Sequence, residues 1–385
     1  MNEPKLRFKA DDGSTFPDWE EKKLEDVVEF LDGQRKPLEA GKRVAGEYPY
    51  YGASGIIDYV DNYIFDEELI LLSEDGANIL DRNYRVCFLA RGKYWVNNHA
   101  HVLRAMSGNV NGFLCEQLES FDYRKYNSGS AQPKLNQETC RSIIVNVPSL
   151  PEQQKIADFL STIDTVIEKQ KATVEAWEER KKGVMQKLFS QEVRFKADDG
   201  SEFPDWKEKK LGDVFVEQTE RAKGGEALLS VTIAQGIVRQ SETDKRNIAS
   251  ENKSNYKVVK KNDLAYNTMR MWQGAEGVSE YDGIVSPAYT VVTALDGNNS
   301  YFFETIFKQK FMLQMFQRYS QGLTSDTWNL KFPAFSEIKC FVPCEDEQNK
   351  IVECVHVFDD VIEKQKATLA AWEEMKKGLL QQMFV

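Results

Sequence analysis

Three patterns in the 385 residues could do chemistry with a metal ion or a water molecule. His99-x-His101 would set two imidazoles on one face of a strand, a possible metal pair with no evident third ligand. Packing in a core or on the surface is the plainer role for both. Cys340-x-x-x-Cys344 with His356 offers soft ligands, yet none of the six cysteines forms a C-x-x-C pair, and reduced thiols are expected. Pro17-Asp18 followed by Glu20-Glu21-Lys22 has the residue types of a nuclease centre at too short a spacing, and reads better as a turn leading into a helix. Nucleotide chemistry lacks a motif altogether. There is no G-x-x-x-x-G-K-[ST], no G-x-G-x-x-G and no Asn/Asp-Pro-Pro-aromatic segment of the kind that methylates a base amine. No catalytic residue and no metal site is therefore expected.

Charge points elsewhere. The net charge of −11 argues at first sight against nucleic acid. The average hides a contrast: Arg82, Arg85, Arg91, Lys93 and Arg104 crowd one stretch with Tyr84, Tyr94 and Trp95 between them, and Lys253, Lys257, Lys260, Lys261 and Arg270 crowd another. Two ordinary solvated faces would give the same composition. No apolar run approaches the roughly 20 residues that cross a membrane, and the start lacks the features of a signal peptide, so a cytoplasmic protein is expected.

The elements that must position these stretches announce themselves by repetition. Arg7-Phe-Lys-Ala-Asp-Asp-Gly13 leading to Phe16-Pro-Asp-Trp19 returns as Arg194-Phe-Lys-Ala-Asp-Asp-Gly200 leading to Phe203-Pro-Asp-Trp206. Asp164 to Thr173, with Trp177 and Gly183 beyond, returns as Asp359 to Thr368 with Trp372 and Gly378. A repeated frame thus surrounds two unlike inserts.

The second repeat has the period of a long helix. Ile163, Ile167, Gln170, Val174 and Trp177 alternate steps of four and three, and Phe358, Ile362, Gln365, Leu369 and Trp372 match them step for step. Neither helix could bury such a stripe alone, so the two are expected to pack on each other as an antiparallel coiled coil, with the glutamines penalising slipped registers. The duplication implies an internal pseudo-twofold symmetry. The expected fold class is mixed α/β, with two globular domains separated by the two matching helices. Their spans are 1–150 for the first domain, 151–191 for the central helix, 192–344 for the second domain and 345–385 for the C-terminal helix. Strands are expected around Glu68–Leu72, Arg85–Leu89, Ala100–Leu103, Tyr256–Val259, Asp263–Tyr266 and Ala288–Val292.

Here the residues carry a resemblance. Tyr51-Gly-Ala-Ser-Gly-Ile56, Glu74-Asp-Gly-Ala77, Val96-Asn-Asn-His-Ala-His-Val-Leu103 and Ser128 to Leu135 in the first insert resemble the target recognition domains of the specificity subunits of type I DNA restriction-modification systems. So do Ala265-Tyr-Asn-Thr-Met-Arg270, Trp272-Gln-Gly-Ala275, Gly283 to Tyr289 and Ser320 to Ser325 in the second. The resemblance covers essentially the full length. It implies a non-catalytic subunit whose two domains each read half of a bipartite, gapped, asymmetric site in double-stranded DNA, held about one helical turn apart. It also implies two modification subunits that methylate adenine from S-adenosylmethionine, and restriction subunits that use ATP and magnesium, with no cofactor in this chain.

On that resemblance the candidate base or phosphate readers are Ser54, Arg85, Asn97, Asn98, His99, His101 and Gln132 in the first insert. In the second they are Asn267, Arg270, Gln273, Ser286, Tyr289, Thr324 and Ser325. Amides suit adenine, and arginine suits guanine or phosphate. Two other roles fit the same sequence: a stand-alone DNA-binding protein without enzyme partners, and a coiled-coil scaffold whose inserts bind proteins.

Overall fold

The computed structural model describes residues 4–233, 235–243 and 252–384. It divides into two compact units, Met1–Thr173 with Gln365–Val385 and Val174–Lys364, called here the first and second modules. Two long helices, α1 (Leu150–Phe189) and α2 (Glu345–Phe384), each of 40 residues, contribute to both.

In the first module a four-stranded antiparallel sheet runs in the spatial order Val28–Phe30, Ala100–Ala105, Leu69–Ser73, Cys87–Ala90. Leu69–Ser73 is apolar on both faces for a reason. Ile70 and Leu72 enter the core shared with helix Asn111–Ser120 and α1, while Leu69 and Leu71 enter a second core under another four-stranded sheet that contains the hairpin Ala45–Gly52 and Gly55–Val60. A strand covered on both sides reads as an unbroken hydrophobic run rather than an alternation.

The second module repeats the first sheet as Phe215–Glu217, Tyr289–Ala294, Leu264–Asn267, Glu276–Val278. Again the central strand splits its side chains, with Leu264 and Tyr266 in the larger core and Ala265 in the smaller. The second core differs, being built from two short ribbons, Leu229–Thr232 with Gly236–Arg239 and Lys257–Val259 with Gly283–Val285. All six strands expected from sequence are present, displaced by one or two residues. One expectation fails: Glu20–Lys23 is a strand paired with Ile144–Val147, because its charged residues have no apolar helical stripe to bury and Trp19 and Leu24 anchor the two ends in the core.

Within each module the long helices run antiparallel. In the first, Asp164 meets Lys376 at 2.5 Å and Lys171 meets Glu373 at 3.5 Å. In the second, Trp177 packs edge-on against Phe358 at 6.1 Å, and Met185 and Leu188 pack on Val355 further along. Ile163, Ile167, Val174 and Ile362 are buried, and Gln170, Trp177, Phe358, Gln365, Leu369 and Trp372 are half-buried, so the expected seam is covered throughout. The seam lysines are explained by partners across the helix pair: Lys181 Nζ meets Asp359 as Lys376 meets Asp164.

Gln170 Nε2 donates to Gln365 Oε1 at 2.7 Å and to the Gln365 carbonyl at 3.0 Å. Replacing both glutamines with leucine should raise stability by about 1 kcal/mol while letting the helices slip. Cysteine cross-linking at positions flanking the pair reads the register; a single, unchanged pattern in the double variant would show that the amides do not set it.

Candidate nucleic-acid interface

The residues singled out for chemistry separate sharply once placed. His99 precedes strand Ala100–Ala105 in a turn, so the two histidines share no strand face. His99 is half exposed, its Nδ1 2.9 Å from an Asp75 carboxylate oxygen. His101 is 1% exposed, with Nδ1 2.6 Å from Asp32 Oδ2 and Nε2 2.8 Å from the Leu135 carbonyl. Both neighbours are oxygen acceptors, so both nitrogens must donate and the ring is an imidazolium. Burial alone would lower its pKa; the hydrogen bond that His101 donates to Asp32, with the Cys140 thiol alongside, outweighs burial and carries His101 up to about 10. Burial likewise pushes the Asp32 carboxyl up, and His101, the Val102 amide and Arg35 together hold it below the usual carboxylate range. His101 is thus a buried positioning group, not a reader.

Arg85 is corrected in the same way. Its guanidinium lies 2.5 Å from Glu116 and 3.6 Å from Asp164 on α1, which fixes the sheet edge against the helix instead of offering a charge to a ligand. Most of the basic stretch around it is equally spent: Arg82 on Glu119, Arg91 on Glu68, Arg104 on Glu29 and Glu67. Asn97 is buried, and its Oδ1 accepts the His99 amide at 2.8 Å, which shapes the turn. Cys340, Cys344 and His356 form no ligand cluster among the described residues; Cys340 is buried and His356 packs edge-on against Tyr301 at 5.7 Å.

What remains exposed is brought together. In the first module, Ser54 lies at the hairpin tip, Asn98 and His99 in the next turn, and Gln132 in the loop before Leu135. Three contacts gather them around the end of strand Leu69–Ser73. Ser73 Oγ donates to the Ala53 carbonyl, the Glu74 amide donates to the His99 carbonyl at 2.9 Å, and the Leu135 amide donates to the Glu74 carbonyl at 2.7 Å.

The second module repeats the two backbone bonds of this framework. The Thr268 amide donates to the Ala288 carbonyl at 3.2 Å, and the Leu330 amide to the Thr268 carbonyl at 2.8 Å. Those bonds draw together three loops: the one carrying Asn267, Arg270 and Gln273, the turn of Ser286 and Tyr289, and the loop of Thr324 and Ser325. Thr324 and Ser325 are exposed; Asn267, Gln273, Ser286 and Tyr289 are half-buried. Gly274, at φ +81°, closes the short turn Met271–Gln273, a conformation that other residues rarely adopt. Arg270 is exposed, 3.3 Å from Gln273 Oε1, and makes no ion pair among the described residues. It is the arginine of the fourteen candidates that stays available.

Sequence reasoning passed over Arg35 and Asp32 and took Glu74 only as part of the Glu74-Asp-Gly-Ala77 motif; these three residues hold the first loop cluster in place. Their signal was there as charged residues set against buried strands, at Leu31-Asp32 and Ser73-Glu74, but charge beside a strand end is common. Asp32, Glu74 and His101 lie close enough to share a metal ion. Arg35 already fills that position, 2.7 Å from Glu74 and 3.4 Å from Asp32, and His101 has no lone pair to give.

Comparison with known proteins agrees with this doubled design. The family described as type I restriction modification DNA specificity domain matches the chain twice, over residues 17–176 and 204–371. A Haemophilus influenzae protein provisionally described as a type I restriction enzyme specificity subunit is 34% identical over 142 residues, which are 37% of this chain and 36% of that protein's length. The MjaVIII specificity subunit of Methanocaldococcus jannaschii is 24% identical over 97% of this chain and 94% of its own. Among solved structures, the S subunit of a type I restriction-modification system from M. genitalium shares the fold with a TM-score of 0.63 at 16% identity, covering 100% of this chain and 99% of that one. Two matches of one family domain, each over one module, place the chain in the family of type I restriction-modification DNA specificity subunits.

Proposed function

We propose that each module docks its loop cluster in the major groove of double-stranded DNA and reads one half of a bipartite site. The observation that carries this reading is the shared hydrogen-bonded framework with unlike side chains, exposed or half-buried: Ser54, Asn98, His99 and Gln132 on one, Asn267, Arg270, Gln273, Thr324 and Ser325 on the other. One scaffold presenting two different sets of donors and acceptors suits two different base sequences, so the site is gapped and not palindromic. The chain performs no chemistry itself. Two modification subunits methylate adenine from S-adenosylmethionine, and restriction subunits translocate and cut with ATP and magnesium, all in the cytoplasm.

Co-expression with the neighbouring modification subunit in a host without adenine methylation, followed by genome-wide mapping of methyladenine, tests this directly. A single gapped, asymmetric motif is expected. Methylation absent from a soluble, assembled complex would move the reading to a protein-binding scaffold. Within the same system, Arg270→Ala should weaken binding to a duplex carrying the motif by about 1–3 kcal/mol. If Arg270 meets a base, the loss is confined to one position of the motif; if it meets a phosphate, all sequences weaken alike and the salt slope drops. Unchanged affinity would remove Arg270 from the interface.

A further inference from the structure

Asn98, His99 and Gln132, three of the exposed candidates of the first module, stand on two irregular loops that side-chain bonds hold in place. Arg35 Nη1 donates to Glu74 Oε2 at 2.7 Å, to the Ala100 carbonyl at 2.7 Å and to the Asn98 carbonyl at 3.5 Å, while its Nε donates to the Asp32 carbonyl at 3.1 Å. Glu74 turns its other oxygen, Oε1, to Lys134 Nζ at 3.3 Å, in the loop that carries Gln132. The two side chains are largely covered, 13% and 15% exposed, so the pair is screened little by solvent and its geometry is tight. One arginine and one carboxylate therefore span from the Asn98–His99 turn to the Gln132 loop.

Among the described residues, uncharged groups set the matching loops of the second module. Thr268 stands where Glu74 does in the hydrogen-bonded framework, its Oγ1 donating to the Ala288 carbonyl at 3.0 Å. Its far loop is held by Trp272 packing edge-on against Trp328 at 5.1 Å. The loop clusters of the two modules are thus held by different chemistry.

Resting on the function proposed above, we propose that Arg35 and Glu74 are specificity-positioning residues of the first module: they touch no base, and through Asn98, His99 and Gln132 they decide how strictly that module discriminates its half of the site. A change in either then loosens one half of the recognised sequence and leaves the other half as strict as before. A residue needed only for folding would lower the yield of methylation at every site alike.

The test uses the full chain in its complex with the modification subunits. Wild type, Glu74→Gln and Arg35→Gln are compared by methyladenine mapping and by competition between duplexes carrying single-base changes in either half, with thermal melting as the fold control. Discrimination should fall roughly tenfold in one half only, at a retained fold. Unchanged discrimination, equal loosening of both halves, or loss of the fold in both variants would each overturn the positioning role. Absence of any gapped motif from the wild type is a separate outcome that overturns the DNA reading and this role with it, whereas a wild-type motif left intact by both variants overturns the positioning role alone.

Discussion

Arg7→Ala should destabilise the first module by about 3–5 kcal/mol, one of the largest effects of any single substitution in the chain. The arginine of the opening repeat is the cation for a carboxylate that has no exposure at all. Glu152, in the first turn of α1, is 0% exposed, and Arg7 grips it with two bonds, Nε to Oε1 at 3.1 Å and Nη2 to Oε2 at 2.8 Å. Nη2 also donates to the Pro17 carbonyl at 2.6 Å, which folds the Phe-Pro-Asp-Trp segment back onto the helix. Removing the arginine leaves a buried charge without its partner, and that penalty exceeds what the pair itself contributes.

The second copy supplies an internal control. Arg194 grips Glu347 on α2 at 3.1 and 2.7 Å in the same way, but there Trp206 Nε1 also donates to Glu347 at 3.0 Å. Trp19 Nε1 in the first copy has no such bond. Arg194→Ala should therefore cost less than Arg7→Ala by about 1.5 kcal/mol, the worth of one hydrogen bond to a charged group. Urea titration of the full chain, followed by tryptophan fluorescence, measures both. Equal losses in the two variants would mean that the tryptophan contact adds nothing. An Arg7→Met, Glu152→Met double variant as unstable as Arg7→Ala would mean that the uncompensated charge is not the cause.

This latch shows where sequence stops being enough. The repeated Arg-Phe-Lys-Ala-Asp-Asp-Gly segments were plain as a repeat, and the positions that the four-three periodicity of α1 and α2 picks out from Ile163 to Trp177 and from Phe358 to Trp372 are buried or half-buried. Periodicity is local, so it survives without coordinates. The reason for the arginines was not legible, because Arg7 and Glu152 are 145 residues apart and no spacing rule links them. The same limit governs the site. Arg85 and His101 look like readers in a motif, being polar residues near turns, and only the fold reveals that one is spent on Glu116 and the other is sealed against Asp32. Arg270 has the same residue type as Arg85 and a similar setting in sequence, yet it is exposed. Whether a cation is free depends on which acids the fold delivers to it, and in this chain most of them arrive from another element.

His101 supplies the second large effect, and its sign is set by which protonation state the fold holds. Folded, the ring titrates near pH 10; unfolded, it returns to the ordinary value near 6.5. The folded state therefore binds the proton more tightly. The stabilisation it contributes is complete below about pH 6.5 and is lost progressively as pH rises toward about 10. Over that window the first module should lose roughly 2–4 kcal/mol relative to a chain carrying His101→Gln, whose amide can donate to Asp32 but cannot titrate. Cysteine and lysine groups also titrate at the alkaline end, so the quantity that matters is the difference between wild type and variant at each pH. Urea midpoints from pH 6 to pH 10 should converge as the imidazolium loses its proton, with the wild type well ahead at the acid end. Parallel curves, with a constant gap and no convergence, would mean that His101 is neutral in the fold and that one of its two oxygen neighbours receives no proton from it.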